Sequence, residues 1–256
     1  MTGALGRLGP VWTEALLDAG ASVVALDRDG VRPDPGFLEL QERAGPDRLC
    51  LLRGDITDRP SLEGALDACL ADLGRPTVLV NNAGIDQPPQ PGPTARLEAI
   101  STDDVRSVLD VNVVGTFLAT QVFGAAMVDA GRGSIVNIGS IYASRSPDPR
   151  LYDHIPVDPP FLKPPAYGSS KAAVCNLTRY FAAHWGPYGV RVNTLSPGGV
   201  IGDQDPLFVQ KYSARVPLGR LARLDELGGP LLFLASDASS YVNGIELKVD
   251  GGFSSW

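Results

Sequence analysis

Histidine and cysteine are scarce in this chain, and their scarcity removes whole classes of chemistry. The two histidines, His154 and His184, stand apart and suggest neither a metal centre nor a histidine-based triad. The three cysteines, Cys50, Cys69 and Cys175, make no metal spacing and no disulfide framework. Cys50 falls in an apolar strand and Cys175 on a helix, so buried free thiols in a reducing cytoplasm are expected, with no metal site. A basic excess is missing too. The formal net charge is −7, which argues against nucleic acid and anionic membrane as partners. No apolar run reaches the ~18 residues of a membrane span. The N-terminus shows no signal-peptide pattern, and there is no internal repeat and no acidic or basic tail. What remains is a chain of 256 residues, 44% hydrophobic and 20% charged. That is an ordinary globular composition, long enough to bury a sizeable core. No linker divides it, so residues 1–256 are read as one domain.

Apolar runs of strand length alternate with helical patterns, which implies an α/β fold with a parallel sheet and helices on both faces. Strands are expected at 22–27, 48–53, 77–81, 133–139, 190–195 and 245–249. Helices are expected at 10–19, 36–44, 60–73, 102–130, 167–186 and 224–236. Ser101 or Thr102 serves as N-cap of the long helix. Val78-Leu79-Val80 and Ile135-Val136-Asn137-Ile138 read as strands covered on both faces.

Two segments carry chemistry. Thr2-Gly3-Ala4-Leu5-Gly6-Arg7-Leu8-Gly9 precedes the helical run Val11 to Asp18. A glycine-rich turn opening a helix exposes backbone N–H groups to a pyrophosphate, and the helix dipole favours its charge. Asp27 follows at about the ~20-residue distance of an acid that grips ribose hydroxyls. Read singly, the glycines could form an ordinary tight turn and Asp27 could merely end a strand. Further on, Tyr167-Gly168-Ser169-Ser170-Lys171 places a phenol and an ammonium at i and i+4 of one helix. A positive charge beside a phenol favours the phenolate and brings its pKa toward the working range of a proton-transfer group. A lone Tyr-x-x-x-Lys also arises by chance on solvated helices.

The ordered set is far more specific. With Gly54-Asp55-Ile56, Asn81-Asn82-Ala83-Gly84, Asn112, Ser140 and Ser196-Pro197-Gly198-Gly199-Val200, the whole chain resembles the short-chain dehydrogenase/reductase family, in its single-domain branch. The resemblance implies a Rossmann-like doubly wound sheet and an NAD(P)-dependent interconversion of a secondary alcohol and a ketone. It implies that Tyr167 is the general acid/base and that Lys171 lowers its pKa and holds the nicotinamide ribose. Ser140 then donates to the substrate oxygen, and Asn112, on a kinked helix, feeds a proton relay through a water. The implied cofactor contacts are Gly3, Gly6, Leu8, Gly9, Asp27, Arg28, Asp55, Ile56, Asn82, Ala83, Gly84, Tyr167, Lys171, Pro197, Gly198 and Val200. A hydrogen-bonded core asparagine remains open for Asn112, and a satisfied turn hydroxyl for Ser140. Asp27 favours NAD, because an acid there repels a 2′-phosphate. Arg28 next door keeps NADP open. Two positions depart from the family pattern. The second glycine usually sits one place later than Gly6, and Gly202 stands where a threonine usually follows the nicotinamide stretch.

The segment 144–166 is read as a proline-rich insertion between Ser140 and Tyr167, with seven of the 22 prolines. Stiffened by proline and anchored beside the site, it is expected to line the substrate pocket. Arg145, Arg150, Tyr152, Asp153 and His154 are the polar groups it offers. Pro88 to Pro93 is a second proline-rich interruption. The insertion, Pro217-Leu218-Gly219-Arg220 and the C-terminal stretch resemble members acting on sugars, sugar acids or polyols. The alternatives are a 3-oxoacyl-carrier-protein reductase and a catalytically silent NAD-binding regulator. A homotetramer or homodimer is expected, with Phe253 and Trp256 as exposed anchors. Finally, only Met1 and Thr2 precede Gly3, where this fold has its first, central strand. The start is therefore expected to lie inside a longer gene product. Otherwise strands 22–27 and 77–81 close up, or the gap between them is partly hydrated.

Overall fold

The computed structural model describes residues 1–89 and 94–256; the Gln90–Pro93 part of the first proline-rich interruption lies outside them. Six parallel strands follow the expected order: β1 (Val23–Asp27), β2 (Leu49–Arg53), β3 (Val78–Asn81), β4 (Gly133–Ile138), β5 (Val190–Pro197) and β6 (Glu246–Val249). They pair as β1-β2 and as β3-β4-β5-β6. The two groups meet at the N-terminus. Thr2 bridges Leu26 on one side and Asn81 on the other. The Thr2 N–H donates to Val80 O at 3.0 Å, and the Leu26 N–H donates to Met1 O at 2.8 Å. The gap expected between β1 and β3 is thus corrected at this level. Two residues satisfy backbone groups of both neighbours, which would otherwise be buried without partners.

Strand alternation builds two cores. Ala25, Val80, Val136 and Leu195 face one side, where α1 (Gly9–Asp18), α2 (Pro35–Ala44) and α8 (Gly228–Ala235) cover them with Trp12, Phe37 and Leu231. Leu26, Leu79, Ile135 and Val192 face the other, against α3 (Arg59–Asp72), α5 (Thr116–Asp129) and α6 (Pro165–Trp185). Successive side chains of a strand point to opposite faces, so strands buried on both sides read as continuous apolar runs. Phe37 is fully buried; burial of such a side chain stabilises by roughly 1.5–3 kcal/mol.

Three helical expectations need correction. The long helix begins as α4 (Thr102–Leu109), capped by the Ser101 hydroxyl, and is interrupted by a π-helical turn over Asp110–Gly115 before α5. The stretch expected at 224–236 is a single turn at Leu224–Glu226 followed by α8. An unexpected helix, α7 (Pro206–Ser213), starts at Pro206 with the Asp205 carboxylate accepting from the Leu207 and Phe208 N–H groups. Taken together, Thr102–Asp129 is long and apolar enough by length and composition to cross a membrane, contrary to the sequence reading, but half of its apolar window is packed inside the protein.

A third, smaller core lies beyond the carboxyl ends of the strands. Leu151 and Tyr152 from the proline-rich segment pack with Tyr212 and Val216, and with Phe208 of α7. Phe253 stacks on Tyr212 at 4.8 Å between ring centroids. It is therefore part of this core rather than an exposed anchor, whereas Trp256 is 73% exposed.

Candidate active site

A cleft of about 980 Å³ opens where the strand order reverses, at the carboxyl ends of β1 and β3. That crevice is where open α/β sheets bind ligands. Its floor is the glycine turn. Gly3 has φ +62°, and a Cβ there would come within 2.6 Å of Ala83. A Cβ on Gly9 would lie 2.2 Å from Ala4 O. The backbone is thus drawn tight under the cleft, and α1 starts with no side-chain cap over its first N–H groups. This uncapped cradle fits the pyrophosphate of a dinucleotide.

Asp27 ends β1 beside the turn. Its carboxylate accepts from the Leu5 N–H at 2.8 Å and from the Arg28 N–H at 2.9 Å. Arg28 is exposed on the same wall. Asp55 accepts from the Thr57 N–H and hydroxyl, and these bonds hold its carboxyl below the usual range. Ile56 is buried beside it. Asn82 ties the turn to the sheet: its side chain donates to Gly3 O at 2.7 Å and accepts from the Trp12 indole at 3.0 Å. Ala83, Gly84, Pro197, Gly198 and Val200 line the cleft with Gly6 and Leu8.

Gly9 and Asn112 lie behind the wall rather than in it. Asn112 is 1% exposed. The π-helical turn carries its side chain to Ile85, whose N–H it accepts at 2.7 Å and whose carbonyl it donates to at 3.0 Å. It also donates to the Ser170 hydroxyl at 2.9 Å. These contacts fix the 84–85 backbone beside Lys171.

Ser140, Tyr167 and Lys171 meet at the inner end of the cleft. Ser140 follows β4 and is 7% exposed. Tyr167 stands in the first turn of α6, and Lys171 one turn on, 5% exposed. The Lys171 ammonium donates to Ile138 O at 2.7 Å and sits 5.7 Å from the Tyr167 ring centroid. Burial lowers its pKa to about 8, opposed by the Asp86 carboxylate. The phenol departs from expectation. Burial raises it well above the ordinary range, the Asp86 charge adds to this, and only the Ser140 hydroxyl pulls it down. The ammonium is engaged with a carbonyl rather than with the phenolic oxygen, so desolvation outweighs it.

Sequence reasoning missed several residues here. Arg7, in the place of the second glycine, donates to Val200 O at 2.8 Å and Ile201 O at 2.9 Å. Its guanidinium occupies the space that a side chain at Gly202 would need. The segment 144–166 contributes Tyr152, His154, Ile155 and Lys163 to the cleft. Arg145, Arg150 and Asp153 turn away, toward Ser254, Asp148 and Lys211. His154 Nε2 stands 3.2 Å from an Asp205 oxygen, off the line of a hydrogen bond. Lys163 pairs with Asp86 at 2.6 Å. Asp86 follows Asn81-Asn82-Ala83-Gly84 closely enough to have been suspected. Lys163 precedes α6 and carries no pattern that marks it.

A family model described as enoyl-(acyl carrier protein) reductase matches residues 3–254. The chain belongs to the short-chain dehydrogenase/reductase family. It is 35% identical over 261 residues to D-threitol dehydrogenase of Mycolicibacterium smegmatis, covering 99% of this chain and 91% of that protein. It is 36% identical over 266 residues to galactitol 2-dehydrogenase (L-tagatose-forming) of Cereibacter sphaeroides, covering 100% and 94%. The crystal structure of a gluconate 5-dehydrogenase from Burkholderia cenocepacia, in complex with NADP and tartrate, matches with a TM-score of 0.84 at 30% identity, covering 100% of this chain and 94% of that one. This short-chain dehydrogenase/reductase is thus an NAD(P)-dependent oxidoreductase acting on CH–OH groups.

Proposed function

We propose that this enzyme interconverts a secondary alcohol and a ketone on a polyol or sugar-type substrate, with NAD as the preferred cofactor. The observation that carries the reading is the convergence of Ser140, Tyr167 and Lys171 on one cleft with the glycine turn and Asp27. The similar dehydrogenases named for threitol and galactitol support the substrate class.

The glycine turn with Leu8 holds the pyrophosphate. Asp27 accepts from the adenosine ribose through the lone pairs its two backbone donors leave open. Asp55 and Ile56 flank the adenine, and Asn82 to Gly84 and Pro197 to Val200 flank the nicotinamide end. When bound, the nicotinamide supplies hydride chemistry, which the protein positions. Tyr167 takes the hydroxyl proton in oxidation and returns it in reduction. Ser140 hydrogen-bonds the reacting oxygen as its charge changes. Lys171, cationic below its pKa of about 8, would hold the nicotinamide ribose. Asn112 supports the relay by fixing the 84–85 backbone. A small-molecule substrate in the cytoplasm suits this machinery.

We further infer a homotetramer or homodimer. Val114, Tyr180 and Tyr188 are 44%, 58% and 57% exposed, on the π-helical turn, on α6 and on the turn that follows α6, and exposed apolar groups on these elements suit a two-fold contact. Light scattering tests this, and a stable monomer would remove it. The function is tested by following NADH formation with a panel of polyols, aldonates and simple secondary alcohols. Oxidation of none of them, with NAD or NADP, would remove the reading.

A further inference from the structure

Lys163 is the most enclosed charge that the proline-rich segment brings to the cleft. Its side chain is 5% exposed. The ammonium lies 5.1 Å from the Tyr167 ring centroid and 5.8 Å from that of Tyr142. Its carboxylate partner, Asp86, comes from the loop after β3 and is half-exposed toward the same cleft. Their bond is 2.6 Å, and the same Asp86 oxygen accepts the Gln87 N–H at 2.8 Å. Among the described residues this is the only hydrogen bond of the Lys163 ammonium. An ammonium has three N–H groups, and enclosing one with a single partner is costly unless something else meets the others. The second oxygen of Asp86 likewise has no partner among the described residues.

Donor and acceptor therefore stand side by side, next to the phenol that handles the reacting oxygen. A hydroxyl both donates and accepts, so two neighbouring hydroxyls match this pair. We propose that Lys163 and Asp86 are specificity-determining residues that grip the hydroxyls adjacent to the carbon being oxidised, selecting a neutral polyol chain. A carboxylate fits less well. Asp86 already balances the Lys163 charge, so this pair offers an aldonate no free cation. The proposal rests on the polyol reading given above and names the groups that read the chain.

The test uses the full chain with galactitol and xylitol as polyols, gluconate as aldonate, and cyclohexanol as a secondary alcohol without neighbouring hydroxyls. The polyol reading is judged on the native enzyme alone: turnover of cyclohexanol but of no polyol would remove that reading and this proposal with it. The proposal itself is judged on Lys163→Met and on Asp86→Asn, the second of which is half-exposed and nearly isosteric, so that it folds even if the first does not. Each variant is expected to lower kcat/KM for the best polyol by about 100-fold, and that for cyclohexanol at least about tenfold less, since a site built around a hydroxyl discriminates strongly against its absence. Equal losses on both alcohols would overturn the assignment, as would a native preference for gluconate that Lys163→Met abolishes. NADH affinity, read by fluorescence, should stay within about threefold in both variants; a collapse would show that the pair supports the cofactor side instead.

Discussion

The guanidinium of Arg7 fills the space that a side chain at Gly202 would take: a Cβ at 202 would lie 2.4 Å from Nη2. Arg7 thereby ties the glycine turn to the carbonyls of Val200 and Ile201, on the opposite wall. Gly202→Thr is expected to displace the guanidinium and weaken NADH binding. Loss of charge-assisted hydrogen bonds to carbonyls on one side of the cleft costs about 1–3 kcal/mol. Arg7→Ala should do the same, and the double variant should be no worse than either single one, because both remove one shared contact. Additive losses in fluorescence titration would show that the two positions act separately.

Tyr167→Phe removes the phenolic hydroxyl that carries the transferable proton. Turnover is expected to fall by about 100-fold to 10,000-fold, with NADH affinity nearly intact. Lys171→Ala should damage both turnover and affinity, because that residue has two roles. Normal turnover of the phenylalanine variant would mean that another group handles the proton.

Lys171 makes a prediction about pH. Its pKa is lowered by burial from 10.5 to about 8, so folding disfavours its proton. The burial cost is fully present below pH 8, and stability rises as pH climbs from about 8 to 10.5, where the unfolded chain still holds the proton and the folded one does not. At ~1.4 kcal/mol per pH unit this amounts to about 3 kcal/mol. Cofactor binding should move the other way, weakening above pH 8 as the cation is lost. Denaturant titrations of native protein and Lys171→Met across this range should differ in slope; parallel curves would show that the lysine is not the titrating group.

Native protein is expected to bind NADH more tightly than NADPH, and Asp27→Ala to narrow the difference. The Asp27 carboxylate is held at the end of β1 by the Leu5 and Arg28 N–H groups, where it repels a 2′-phosphate. Clear NADPH preference in the native protein would reverse this assignment and shift the weight to Arg28.

The parallel α/β architecture was legible in the sequence because strands buried on both faces leave continuous apolar runs, and β1 to β6 all lie within two residues of their expected bounds. The Tyr167–Lys171 relation was legible as well, since one helical turn sets it locally. Other features belong to the tertiary structure alone. Asn112 marks where the long helix is interrupted, but not that the interruption at Asp110–Gly115 is π-helical, and α7 hides among glycines and prolines. Arg7 meets Val200 and Lys163 meets Asp86 across 193 and 77 positions, distances over which no periodicity operates. The elevated Tyr167 phenol follows from how completely α6, Ser140 and the proline-rich segment enclose it. A residue's neighbours along the chain report its own element; its solvation is decided by whatever the fold packs against it, and so is its proton affinity.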